Sequence, residues 1–100
     1  MPDIPQDTEA SSVAWTGLVK GRVQGVFFRA ETRRVAKQHG IRGWVRNTAE
    51  GHVELLICGE AGAIDRMRLW LAKGPTRARV DSLELIQCAD PGLSGFEIRK

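Results

Sequence analysis

Two stretches of this chain carry apolar residues at helical spacing. Each is closed by glycine and bracketed by runs of strand formers. In the first, Phe28, Thr32, Val35, Ala36 and His39 share one face, Glu31, Arg33, Arg34, Lys37 and Gln38 take the other, and Gly40 follows. In the second, Ala63, Ile64, Met67, Trp70 and Leu71 form the stripe and Gly74-Pro75 closes it. A stripe of this kind must be buried against another layer, and glycine or proline beyond its end stops the helix. The flanking runs Val13 to Lys20, Ile41 to Arg46, His52 to Cys58 and Val80 to Gln87 read as strands, with Phe96 and Ile98 in a short terminal one. Alternation slips near Asp81-Ser82, the mark of a bulge. The order is β-α-β-β-α-β. It predicts an α+β, ferredoxin-like sandwich: a four-stranded antiparallel sheet with two helices on one face, plus a short C-terminal strand.

The 100 residues suit one domain. Residues 1 to 12 are polar, hold two prolines and show no periodicity. They are expected to be a disordered tail ahead of a domain at 13 to 100. No apolar run nears the roughly 20 residues that span a bilayer, and no basic-then-apolar leader opens the chain. A cytoplasmic monomer with no membrane partner is expected. Net charge is +3, with fifteen basic residues scattered among twelve acidic ones. That suits an anionic partner, but nucleic-acid binders cluster their basic residues. RNA-recognition modules share this element order and stack bases on strand aromatics. The third strand, HVELLIC, has no aromatic, so no nucleic acid is expected as a partner. With strand order 4-1-3-2, Cys58 and Cys88 would lie two strand spacings apart, roughly 9–10 Å. That exceeds disulfide reach, so both thiols are expected to be reduced. No C-x-x-C occurs and His39 and His52 lack metal-ligand spacing, so no metal is expected.

Between the first strand and the first helix lies GRVQGVFFR, Gly21 to Arg29. A loop entering a helix points backbone N–H groups with no intrahelical partner at one spot, at the positive end of the helix dipole. An anion fits there. Gly21 and Gly25 permit unusual backbone angles and close approach of a ligand to the main chain. Arg29 adds a planar fork that matches two phosphate oxygens. The segment therefore reads as a phosphate site. In the expected fold, strands one and two end at the same edge of the sheet. This puts Asn47, at the end of strand two, beside the loop.

GRVQGVFFR followed by GWVRNTAEG resembles the acylphosphatase signature, a Gly-x-Val-Gln-Gly-Val-x-Phe-Arg loop joined to Gly-Trp-Val-x-Asn. Lys73 to Pro75, Ala78 to Val80 and Gly95 to Ile98 resemble it as well, so the likeness runs over about residues 14 to 99. The resemblance implies an enzyme that hydrolyses the carboxyl–phosphate bond of acyl phosphates with no metal or organic cofactor. It implies Arg29 and Asn47 as catalytic residues and Gln24, Gly25, Val26, Phe27 and Phe28 as the phosphate loop. Many members carry tyrosine two places after the arginine, where this chain has Glu31. A carboxylate there suits the first helical turn.

Chemically, an acyl phosphate is a good phosphoryl donor because a carboxylate leaves easily, so positioning and charge stabilisation suffice. Asn47 would orient the water. An amide is a poor base, and the substrate's phosphate could accept the proton. Taken alone, a Gly-rich turn is as often structural, Arg29 a surface residue and Asn47 a turn former. A non-catalytic anion-binding or RNA-binding module of the same fold is the alternative. Thr48 reads either as turn chemistry or as a residue that orients Asn47, the second being slightly preferred, and Trp15, Trp44 and Trp70 are expected to sit at the core or its edge.

Overall fold

The computed structural model describes residues 12–100. Strand β1 spans Ser12–Arg22, helix α1 Phe28–Gln38, β2 Arg42–Asn47, β3 Val53–Glu60, α2 Ala61–Lys73, β4 Arg79–Cys88 and β5 Phe96–Arg99. Strand β1 already includes Ser12, which pairs with Glu60. The rest of the expected tail lies outside the described residues.

The sheet order is β4-β1-β3-β2-β5. The first four strands pair antiparallel. Strand β5 joins the free edge of β2 in parallel, with Gly43 opposite Phe96 and Arg46 opposite Arg99. The terminal strand thus completes a five-stranded mixed sheet. Helix α1 lies over β2 and β5, and α2 over β1, β3 and β4.

The alternating residues Val53, Leu55 and Ile57 meet the buried stripes Phe28, Thr32, Val35, Ala36 and Ala63, Ile64, Met67, Leu71. Thr32 is the buried polar member, and its hydroxyl donates to the Phe28 carbonyl at 2.7 Å. That bond satisfies a group whose burial alone would be costly. Leu56 and Cys58 are buried on the other face, although they alternate out of phase with the main core. They form a small second cluster with Ala14, flanked by Trp44, Cys88 and Leu93. Leu93 lies on the segment that connects β4 to β5. There Arg42 donates to the Leu93 carbonyl at 2.9 Å and pairs with Asp90 at 2.6 Å.

Cys58 and Cys88 both sit in register with Ala14, on the strands to either side of it, and both are free thiols. Burial pushes the Cys58 thiol up to about 11. The three tryptophans are half-buried. Arg68 covers the Trp15 ring at 4.6 Å and Arg99 the Trp44 ring at 5.1 Å.

The bulge falls where alternation slipped. Lys20 pairs with Ser82 but Gly21 with Val80, which leaves Asp81 as the extra residue. This corrects the reading of Gly21 as room for a ligand. Its φ is 134°, and a Cβ there would collide with the Arg79 carbonyl oxygen on β4. The space beside Gly21 is occupied by a neighbouring strand.

Strand directions then define one rim. The last residue of β1 is Arg22, opposite Arg79 at the start of β4. Asn47, at the end of β2, is opposite Val53 at the start of β3. The loop from Val23 to Phe27, the β2–β3 turn and the segment that joins α2 to β4 therefore share this rim.

Candidate active site

The loop reaches α1 through two residues with positive φ, Gly25 at 74° and Phe27 at 61°. Phe27 is the N-cap, in the left-handed region, with no side-chain capping bond. Among the described residues it is the only non-glycine with positive φ. A bulky side chain held there costs about 1–3 kcal/mol, which the surrounding structure must offset. Alternation of left-handed and ordinary backbone turns successive N–H groups toward one concavity, as in anion nests. Among the described residues no backbone or side-chain acceptor takes the N–H of residues 24 to 28. The first helical turn adds its own unpaired donors.

This concavity opens on a cavity of about 310 Å³. Gly25, Phe27, Phe28 and Arg29 border it from the loop and helix start, Asn47 from β2 and Ile98 from β5. Arg29 and Asn47 thus meet at a single cavity, as the shared sheet edge requires. The Arg29 side chain has no hydrogen-bond or ion-pair partner among the described residues. Asn47 Oδ1 is buried and likewise has none. A buried acceptor without a partner is costly. A water donating to it would satisfy it.

The other loop residues divide between packing and anchoring. Phe28 is buried, with its ring 5.9 Å from that of Trp70. Val26 is buried and borders a neighbouring groove instead of the cavity. Gln24 lies outside the lining. Its Nε2 donates to the carbonyl oxygens of Thr48 at 3.0 Å and His52 at 2.8 Å, which ties the loop to the β2–β3 turn. Sequence reasoning missed this anchor, since it spans 24 and 28 residues of chain. Thr48 closes the turn: its hydroxyl accepts from the His52 N–H at 3.1 Å and its own N–H donates to the His52 carbonyl. No bond links Thr48 to the Asn47 side chain, so of its two readings the turn one holds and the orienting one does not. Glu31 accepts from Arg34 at 2.7 Å one turn further along α1. Among the described residues no cluster of three or more His, Cys, Asp or Glu could hold a metal ion.

At one rim this βαββαβ sandwich gathers loop amides, a guanidinium and a buried carboxamide oxygen that have no partners among the described residues. The family model for acylphosphatase matches residues 15–98. The acylphosphatase of Rubrobacter xylanophilus is 50% identical over 81% of this chain and 74% of its own length. That of Nitrosococcus oceani is 46% identical over 82% and 92%. A solved acylphosphatase from Coxiella burnetii superposes with a TM-score of 0.88 at 36% identity, covering 92% of this chain and 97% of its own. The chain belongs to the acylphosphatase family, enzymes that hydrolyse acyl phosphates.

Proposed function

We propose that the protein hydrolyses the carboxyl–phosphate bond of acyl phosphates at the cavity shared by Arg29 and Asn47. The loop amides of residues 24 to 28 and the Arg29 fork hold the non-bridging phosphate oxygens. They stabilise charge as it redistributes, and such fixed donors act most strongly where water is excluded. Asn47 Oδ1 accepts from a water and aims its oxygen at phosphorus. The new P–O bond forms as the bond from phosphorus to the carboxyl oxygen breaks. Its electron pair leaves with the carboxylate. The water's proton passes to a phosphate oxygen, and the products are a carboxylate and inorganic phosphate.

One observation carries this reading: a guanidinium and a buried carboxamide oxygen, both without partners among the described residues, border the same small cavity. The setting we infer is a cytoplasmic monomer whose partner is the substrate, without nucleic acid. The free thiols on either side of Ala14 fit a reducing compartment. Among the described residues no helix is long and apolar enough to cross a membrane.

Turnover of benzoyl phosphate by the purified chain tests the proposal. Arg29→Ala should lower kcat/KM by about 10²–10³-fold, the usual effect of removing one preorganised donor. An undiminished rate in that variant would remove Arg29 from the mechanism.

A further inference from the structure

The cavity that Arg29 and Asn47 share takes its walls from four parts of the chain. Val23, Gly25 and Phe27 belong to the loop, Phe28, Arg29 and Ala30 to the first turn of α1, and Asn47 to β2. Among the described residues, Ile98 alone reaches it from β5. Strand order sets the side on which it stands. The loop arrives from the end of β1, two strands inward of β2, whereas β5 is the outer neighbour of β2. Ile98 therefore closes the flank of Asn47 that the loop leaves open. Helix α1 lies over β2 and β5, and Ile98 packs against the core beneath it.

Register explains how an apolar side chain comes to this place. Ile98 pairs with Val45 across the parallel β2–β5 ladder, and Asn47 stands two residues beyond Val45. Successive side chains alternate between faces, so Ile98 and Asn47 share the helix-covered face. The same alternation turns Arg46, Glu97 and Arg99 to the open face. There Arg46 donates to Glu54 at 2.7 Å, and Arg99 lies 5.1 Å from the Trp44 ring and 3.3 Å from the Glu97 carboxylate. Arg29 is then the only charged side chain on the cavity wall among the described residues. Asn47 Oδ1 is buried beside Ile98 with its lone pairs uncommitted.

We propose that Ile98 is a positioning residue for hydrolysis and that it acts through Asn47. The inference rests on the hydrolysis reading above and adds a residue to it. A carboxamide oxygen offers two lone pairs. A hydroxyl or a second water beside it would compete with the entering water for them. The Ile98 side chain makes no hydrogen bond, and it fills the volume that a second water would need. Being β-branched, it holds one shape. Oδ1 is thereby left to the water that attacks phosphorus. The apolar wall also lowers the local dielectric, where Arg29 and the loop amides act most strongly on the phosphate charge.

Ile98→Val and Ile98→Thr test this, because their side chains have nearly the same shape and differ in a methyl against a hydroxyl. The assay is steady-state hydrolysis of benzoyl phosphate, with inorganic phosphate as competitive inhibitor. We expect kcat of Ile98→Thr to lie about tenfold below that of Ile98→Val, within the range that small misplacement produces. The inhibition constants for phosphate should agree between the two within about twofold, since the loop and Arg29 are intact. The decisive readout is a cycle with Asn47→Ala. If Ile98 acts through Asn47, the difference between valine and threonine should vanish in that background. A merely structural role would leave it in place. Thermal melts establish that each variant folds. If Ile98→Thr does not, Ile98→Ala, which admits water where the methyls stood, replaces it in the same cycle with the same expectation. Equal kcat for the two variants, or a difference that persists beside Asn47→Ala, overturns the assignment and leaves hydrolysis intact. Absence of benzoyl phosphate turnover in the wild type sinks the hydrolysis reading itself, and the role of Ile98 with it.

Discussion

The side-chain amide of Gln24, on the loop that precedes α1, donates to the main-chain carbonyl of His52 at 2.8 Å, just before β3 begins. The same nitrogen donates to Thr48 at 3.0 Å. One residue thus ties the loop before α1 to the turn that follows Asn47. These two bonds help to set how far the loop stands from the end of β2.

Gln24→Met keeps the bulk and deletes the donor. Two carbonyls lose a partner at a half-buried position, which should cost about 1–2 kcal/mol of stability. Turnover should suffer more than binding, since small misplacement of reacting groups costs up to about a hundredfold. We expect kcat to fall about tenfold, with inorganic phosphate inhibiting at a nearly unchanged constant. Parallel loss of phosphate inhibition would assign Gln24 to binding instead.

Asn47→Ala separates water orientation from phosphate binding. The variant loses the buried Oδ1 and leaves Arg29 and the loop amides in place. We expect kcat to fall by about a hundredfold or more, while competitive inhibition by phosphate stays within about threefold. Loss of both together would mean that Asn47 holds the anion.

Much of this was legible in short-range spacing. The stripes of α1 and α2, the alternation of β3 and the slip at Asp81 each follow from a few consecutive residues. What escaped is long-range. Gly21 looked like room for a ligand because nothing nearby in sequence explains it, whereas the Arg79 carbonyl on β4 does. The burial of Leu56 and Cys58 breaks the alternation because Leu93, more than thirty residues on, packs against their cluster. Thr48 was expected to serve Asn47, yet its hydroxyl is used by the N–H of His52 in the turn. Arg29 and Asn47 were found together because a topology read from local patterns already brings two strand ends to one edge.

Gly21 and Gly25 both have positive φ, but they should respond differently to alanine. At Gly21 the new methyl would strike the backbone of β4, so Gly21→Ala should cost about 3 kcal/mol of stability through strain and overlap together. At Gly25 nothing lies within 4 Å of the added Cβ, and only the left-handed backbone is penalised, by about 1–2 kcal/mol. Because Gly25 borders the cavity, its variant should lose more activity than stability, with a raised KM. Urea unfolding beside steady-state kinetics would check this. Equal stability losses at the two sites would contradict the assignment of Gly21 to the bulge.

Asp90 gives a pH dependence unconnected with catalysis. The Arg42 guanidinium, with help from the Gly92 N–H, lowers its carboxyl from 3.8 to about 2. A carboxyl whose folded value is depressed contributes stability above its unfolded value and loses it as pH falls through the folded one. The contribution should therefore be complete above about pH 4 and fade between about pH 4 and 2. In urea titrations, wild type should be more stable than Asp90→Asn at pH 6, and the gap should close across that acid window. Arg42 also donates to the Leu93 carbonyl, so this pair helps to hold the strap beside Cys58. A gap that stays constant down to pH 2 would show that Asp90 acts through packing and not through its charge.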